Sequence, residues 1–151
     1  MYINSLLLYP YIRKLYSFNQ TIYFEIKLCQ RGSLFSFLRK KGKINEEIAR
    51  IIIYKILIGV KYLHSLGIVW RDVKPENVLI SYDGTIKLND FVISKRIFHN
   101  RTFTICGTTS YLAPEIIYEW MIKEGYEINE NFQFTKTNKK FENKGYSKMV
   151  D

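Results

Sequence analysis

Four polar side chains have the types and the spacing that phosphoryl transfer to a hydroxyl requires. Asp72, Lys74 and Asn77 lie in one polar loop, and Asp90 follows later in the chain. A carboxylate can orient an attacking hydroxyl and accept its proton, and a nearby cation can stabilise the transferred phosphoryl group. An amide oxygen and a second carboxylate are suitable ligands for a metal ion that bridges phosphates. We assign Asp72 and Lys74 to catalysis and Asn77 and Asp90 to metal binding, against the alternative of an ordinary polar loop.

The segments before this loop are predicted to form two strands and two helices. Residues 12–18 and 21–29 are rich in Tyr, Ile and Phe and are separated by an Asn-Gln pair, which is typical of a hairpin. Ser33 and Asn45 have side chains suited to cap the two helices that follow. The second helix, up to residue 65, carries an apolar stripe and few charges, which predicts that it is largely buried.

The segments after the loop begin with a second hairpin. Residues 78–80 and 85–88 flank an Asp-Gly pair, which favours a tight turn between two strands. Residues 92–112, rich in Thr, Ser and Gly, are predicted to be irregular, and a short helix is predicted from 113 to about 120. From 121 to 144 the composition shifts to Asn, Lys and Glu without periodicity, which predicts a flexible insertion.

The composition is that of one globular domain. The chain has 151 residues, of which 47% are hydrophobic, and a formal charge of +9. This length suffices for one core and is too short for two ordinary domains. A basic protein can bind nucleic acid or an anionic membrane, but no nucleic-acid motif accompanies these charges. We therefore predict a solvated basic surface, with no nucleic acid and no membrane as partners.

The cysteines and the N-terminus predict a cytoplasmic protein. Cys29 and Cys106 are far apart and do not have the spacing of a metal site, so we expect two free thiols in a reducing compartment. The apolar patch near the N-terminus has no basic residues before it, which argues against a signal peptide. No apolar run reaches the length of a membrane span.

The ordered motifs resemble those of protein kinases. The loop Trp70-Arg71-Asp72-Val73-Lys74-Pro75-Glu76-Asn77 resembles the kinase catalytic loop, and Asp90-Phe91 resembles the metal-binding Asp-Phe-Gly motif. The chain is similar to the AGC group of Ser/Thr kinases, nearest to the cyclic-nucleotide-dependent enzymes. Further motifs at family spacing lie at 62–68, 102–108, 107–115 and 145–151.

The resemblance implies a fold and a cofactor. The fold is expected to be α+β and protein-kinase-like: mostly the helical C-terminal lobe, with remnant strands of the N-terminal lobe and truncation at both ends. The partial kinase domain would span 9–151. ATP would bind with Mg²⁺, and its adenine would bond to backbone groups near Lys27 and Cys29, with Ile26 in the gatekeeper position.

The resemblance also implies regulation and specificity. Thr104 lies where an activating phosphate would be attached, and Arg71 and Lys95 would be its partners. Thr108 would contact Asp72 and Lys74 and help to select Ser or Thr as acceptor. Protein substrates are expected, together with a possible regulatory cyclic-nucleotide-binding domain or subunit.

Three departures from the family pattern reduce the activity expected of this chain by itself. No Gly-rich phosphate loop precedes Tyr9, and the chain stops at Asp151, before further supporting helices. In addition, Val92 replaces the usual glycine after Asp90-Phe91, and a β-branched residue resists conformations that glycine allows. We expect little turnover from the isolated chain. The alternative function is that of a catalytically dead pseudokinase or a docking module.

Overall fold

The chain forms two compact units. The computed structural model describes residues 9–10, 12–97, 102, 104–128, 134–136 and 151. The first unit is formed by 1–62 and 74–90, and the second by 63–73 and 91–151. The elements below follow the chain within each unit.

The first unit begins with an antiparallel hairpin of β1 (Ile12–Phe18) and β2 (Thr21–Ile26). Asn19 and Gln20 form its turn with φ of 44° and 61°, the left-handed backbone that gives a two-residue turn the twist of its strands. The predicted hairpin is therefore confirmed, although its second strand ends at residue 26 and not at 29. Most of its large apolar side chains are exposed.

Helix α1 (Leu34–Lys41) follows and is capped as predicted. The Ser33 hydroxyl accepts a hydrogen bond from the backbone N–H of Ser36 at 3.2 Å, which satisfies one free donor of the first turn. Gly42 ends the helix with φ of 71°. Ser33 also forms an isolated β-bridge with Leu79, which fixes the start of α1 against the second hairpin.

Helix α2 (Glu46–Ser65) is the longest element, and Asn45 caps it by accepting from the N–H of Ile48 at 2.9 Å. Its buried residues follow one stripe, whereas many apolar side chains of its other faces are exposed. The prediction of a largely buried helix is therefore wrong, because only one face packs within the described residues. No helix in the described part of the chain is long and apolar enough to cross a bilayer. The buried apolar stripe consists of Ile52, Ile56, Val60 and Leu63.

The predicted second hairpin is formed by β4 (Val78–Ile80) and β5 (Ile86–Leu88), with Val78 paired to Leu88. Its side chains are mostly buried and provide much of the core of the first unit. A Cβ at Gly59 would lie 2.7 Å from Leu88 Cδ1, so the glycine allows α2 to approach the hairpin closely. The core therefore lies between α2 and this hairpin.

A buried lysine in β5 makes the stability of the first unit depend on pH. Lys87 is 6% exposed and its ammonium donates to the backbone oxygen of Tyr9 at 3.3 Å. Burial lowers the pKa of Lys87 below its usual value of 10.5. Between the lowered pKa and 10.5 the unfolded chain binds more protons, so the free energy of unfolding rises with pH in that interval. We expect Lys87→Met to remove this rise.

Chemical denaturation between about pH 7 and 9.5, below the ionisation of ordinary tyrosines, measures the effect. Lys61→Met, at an exposed lysine of α2, is the matched control and should retain the wild-type pH slope. An equal slope in wild-type and Lys87→Met would contradict the assignment. Tyr9 does not interfere in this range, because burial raises the pKa of its hydroxyl.

The second unit contains the last turn of α2, two pairs of strands and one further helix. Strand β3 (Ile68–Val69) pairs antiparallel with β6 (Lys95–Arg96), α3 (Pro114–Lys123) follows, and β7 (Tyr126–Ile128) pairs with β8 (Phe134–Lys136). The prediction of irregular structure for 92–112 holds for most of the described residues, apart from β6 and one short 3₁₀ turn at 109–111.

The segment 121–144, predicted to be a flexible insertion, contains regular elements among its described residues. Its first three residues complete α3, and two short strands follow within it. Composition alone missed the two strands because backbone pairing, not side-chain periodicity, defines so short a hairpin. Residues 124 and 125 form the turn between α3 and β7, and residues 129–133 and 137–144 lie outside the described part.

Candidate active site

A buried carboxylate fixes the first half of the catalytic loop. Asp151 accepts hydrogen bonds from the backbone N–H of Trp70 at 2.5 Å and of Arg71 at 2.6 Å. Its side chain is 0% exposed. Arg71 has φ of 71°, a left-handed conformation that is unfavourable for a non-glycine residue. The carboxylate therefore holds the backbone of the two residues before Asp72 in a conformation that the loop alone would not favour.

Sequence reasoning did not assign a role to Asp151. Its motif at 145–151 matched the family, but residues 145–150 lie outside the described part, and only the structure places the Asp151 side-chain carboxylate against the loop. His64 Nε2 lies 3.1 Å from the same carboxylate, so the last turn of α2 joins this network. The available signal was the resemblance of residues 145–151 to a family motif.

Asp72 is itself buried and has a defined partner. It is 8% exposed, and its Oδ1 accepts a hydrogen bond from the Thr108 hydroxyl at 2.7 Å. The structure therefore brings together two of the predicted site residues, which are 36 positions apart in the chain. This contact orients the Asp72 carboxylate.

Gly107 allows the Thr108 segment to approach the catalytic loop. Its φ is 120°, and a Cβ there would lie 2.9 Å from the backbone oxygen of Arg71 and 2.7 Å from Leu112 Cδ2. A side chain at this position would displace the backbone of the loop. The glycine is therefore a geometric requirement of the contact between Thr108 and Asp72.

The second half of the loop belongs to the first unit and leads into the β4–β5 hairpin. Lys74 precedes a short 3₁₀ helix, Pro75–Asn77, and Asn77 is 6% exposed. The backbone N–H of Asn89 donates to the oxygen of Asn77 at 2.8 Å, which extends the hairpin pairing by one residue. Asp90 follows directly and is exposed, with φ of 57°.

Asn77 and Asp90 fit a magnesium site. Both residues lie at the open end of the same hairpin, and an amide and a carboxylate are the oxygen donors that Mg²⁺ accepts in phosphate sites. Within the described part, no three His, Cys, Asp or Glu side chains converge as a metal site.

Val92 is accommodated in a turn without left-handed backbone. Among the described non-glycine residues only Asn19, Gln20, Arg71 and Asp90 have positive φ. The turn is closed by Ser94, whose N–H and hydroxyl both donate to the oxygen of Phe91, at 3.0 and 2.6 Å. Val92 is 89% exposed, so its branched side chain meets no packing constraint. The left-handed residue of this segment is Asp90.

The predicted phosphate partners already have other contacts in this structure. Lys95 Nζ donates to the Thr102 hydroxyl at 3.0 Å, and Thr102 is fully buried. Arg71 Nε donates to the backbone oxygen of Ile93 at 2.5 Å. Thr104 is exposed. The assignment of Thr104 as a phosphorylation site with these partners stays a prediction.

The three residues predicted to surround the adenine lie at and after the end of β2. Ile26 is the last residue of the strand and Lys27 is exposed. Cys29 is buried, its backbone oxygen accepts from the N–H of Gly32 at 3.0 Å, and its sulfur lies 3.8 Å from the Ser81 hydroxyl. Their proposed contacts with adenine stay a prediction.

Comparison with known proteins identifies the family. The sequence-family model of the protein kinase domain matches residues 3–129. The chain belongs to the protein kinase family. It is 41% identical over 110 residues to a cAMP-dependent protein kinase, catalytic subunit-like, of Caenorhabditis briggsae, a match that covers 71% of this chain and 28% of that protein. It is 37% identical over 127 residues to cGMP-dependent protein kinase 2 of Rattus norvegicus, covering 82% of this chain and 16% of the relative.

A third relative is the human cAMP-dependent protein kinase catalytic subunit PRKX, with 44% identity over 96 residues, 64% of this chain and 26% of the relative. The matched part therefore spans between 16% and 28% of these kinases. The predicted family and AGC resemblance are confirmed. The predicted fold class is also confirmed, since the kinase domain is an α+β structure and this chain combines three helices with four two-stranded sheets among its described residues.

Proposed function

We propose that this chain is the catalytic-loop region of a protein Ser/Thr kinase, which transfers the γ-phosphoryl group of ATP to Ser or Thr hydroxyls of proteins. The observation that carries the proposal is the Asp72 carboxylate, which is buried and oriented by Thr108. The two residues before it in the loop are held by hydrogen bonds to Asp151. Positioning of the reacting groups and electrostatic stabilisation are the main contributions that a protein makes to such a transfer.

The proposed reaction assigns one task to each residue. Asp72 accepts the proton of the attacking hydroxyl, whose oxygen forms the new bond to phosphorus while the bond to the β-phosphate oxygen breaks and ADP leaves with its electron pair. Lys74 stabilises negative charge on the transferred group. Asn77 and Asp90 would hold Mg²⁺, which neutralises charge on the phosphates when bound.

The same proposal includes acceptor selection, adenine binding and regulation by phosphorylation. Contact of Thr108 with Asp72 supports a role in selecting the acceptor hydroxyl, and Ile26, Lys27 and Cys29 would surround the adenine. Phosphorylation of Thr104 would recruit Arg71 and Lys95. Two free cysteines among the described residues are consistent with a cytoplasmic protein, and the names of the relatives support protein substrates and control by a cyclic-nucleotide-binding domain.

Binding of a fluorescent ATP analogue to the 151-residue chain, with and without Mg²⁺, tests the proposal directly. We expect Mg²⁺ to strengthen binding, and Asp90→Asn to weaken the Mg²⁺-dependent binding by about tenfold, because the variant loses a charged metal ligand. Asp83→Asn is the matched control, since Asp83 is also an exposed carboxylate but lies at the closed end of the same hairpin.

A second measurement separates binding from chemistry. Asp72→Asn should retain binding of the analogue and should lower any phosphoryl transfer by roughly 10² to 10⁴, since it removes the proton acceptor. Failure of the wild-type chain to bind the analogue, with or without Mg²⁺, would favour the pseudokinase or docking module. Equal effects of Asp90→Asn and Asp83→Asn would refute the metal assignment.

A further inference from the structure

A small groove lies in the first unit, outside the catalytic motifs. It is bordered by α1, α2 and the β4–β5 hairpin, has a volume of about 180 Å³, and none of residues 70–77 or 90–91 lines it. We call it the α2 groove. Its apolar lining consists of Phe37, Ile48, Ile51, Ile52, Ile80 and Ile86.

The α2 side of this groove leaves apolar side chains exposed. Ile48, Ile51, Ile52 and Lys55 have the i, i+3, i+4, i+7 spacing of one helical face. Ile52 is buried, but Ile48 is 44% exposed and Ile51 is 56% exposed. Contiguous apolar surface of this kind commonly marks a binding site.

Two cations border the same groove. Lys55 Nζ donates to the backbone oxygen of Gly84 at 3.2 Å, which holds the ammonium at the hairpin turn. The exposed Arg31 guanidinium lies 5.7 Å from the centroid of the Tyr82 ring, so it is held near the groove by a cation–π contact. The described residues that line the groove include no carboxylate. The nearby Asp83 carboxylate accepts from the N–H of Thr85 within its own turn.

We propose that the α2 groove docks a short acidic segment of another protein, with an aliphatic side chain in the groove and flanking carboxylates near Arg31 and Lys55. The volume is below that of a typical small-molecule site and is suited to one or two aliphatic side chains. The cations give an acidic segment a favourable electrostatic complement. A second copy of this chain is a poor occupant, because each copy carries a formal charge of +9.

A labelled peptide with two leucines flanked by glutamates is the probe, and fluorescence anisotropy with the 151-residue chain is the measurement. The chain offers a matched pair of variants: Ile51 and Ile53 are both on α2, are 56% and 53% exposed, and only Ile51 lines the groove. We expect Ile51→Asp to weaken binding by about tenfold or more, and Ile53→Asp to change it by less than about twofold.

The charged contribution is tested separately. Arg31→Ala should weaken binding by roughly threefold and reduce its dependence on salt, since an exposed charge pair contributes modestly and is screened. Circular dichroism and thermal melting of each variant establish that the fold is retained. The assay contains no nucleotide, so its result is independent of the proposed kinase activity.

Three results would overturn the docking proposal. The first is an equal loss of binding in Ile51→Asp and Ile53→Asp, which would indicate general attraction to a basic chain. The second is unchanged affinity for a peptide with serines in place of the leucines. The third is sedimentation that reveals self-association abolished by Ile51→Asp, which would assign the groove to a second copy.

Discussion

Replacing Asp151 with alanine is expected to lower the free energy of unfolding by about 4 kcal/mol, because two buried backbone N–H groups, of Trp70 and Arg71, lose their acceptor. Each unsatisfied buried donor costs about 1–3 kcal/mol, and an ionised acceptor adds to the loss. Small domains have free energies of unfolding of only about 5–15 kcal/mol, so the variant would lie close to the limit of folding.

Asp151→Ala should also change the local structure of the catalytic loop, in addition to lowering the stability of the whole chain. Arg71 has left-handed backbone that the carboxylate holds in place, so the loop before Asp72 should relax once the carboxylate is removed. Denaturant unfolding followed by tryptophan fluorescence measures the loss, since Trp70 is fully buried. Hydrogen exchange of the Trp70 and Arg71 amides should increase in Asp151→Ala even under native conditions.

Asp151→Asn provides the graded control. Its side-chain oxygen can still accept from one N–H, but its NH₂ group only donates and cannot accept from the other, so the loss should be intermediate. An unfolding free energy for Asp151→Ala within about 0.5 kcal/mol of wild type would refute the anchoring role, because such a small change is typical of a surface substitution.

Replacing Gly107 with alanine is the second large effect that we expect, with a loss of about 3 kcal/mol. The added Cβ would lie 2.9 Å from the backbone oxygen of Arg71, and a φ of 120° is a conformation that residues with a side chain rarely adopt. Leu112 could move aside, but the Arg71 oxygen belongs to the loop that carries Asp72. We therefore expect Gly107→Ala to disturb the Thr108–Asp72 contact as well as the stability.

Gly84→Ala separates steric overlap from backbone strain. Gly84 has φ of 78°, but a Cβ there would meet no atom within 4 Å, so only the conformational cost of about 1–2 kcal/mol should remain. Denaturant unfolding of both variants gives the comparison. If Gly107→Ala were no more destabilising than Gly84→Ala, the close approach to Arg71 would have no energetic consequence.

Local chemistry explains which elements could be predicted. Ser33 and Asn45 cap the helices because their side chains reach the next free N–H groups, and such contacts span only a few residues. The two hairpins follow from turn residues and strand propensity in the same way. Burial of α2 was overestimated, since periodicity marks apolar faces but does not say how many neighbours cover them.

The sequence by itself determined the family, the helix caps, both hairpins and the loop that carries Asp72, because each rests on residue types at short spacing. Only the tertiary structure decided what holds that loop. Asp151 is 80 residues from Arg71, and Thr108 is 36 from Asp72. The α2 groove could not be predicted from the sequence either, because α1, α2 and the β4–β5 hairpin form it together. Contacts between distant residues depend on how the chain packs, and no local pattern records that packing.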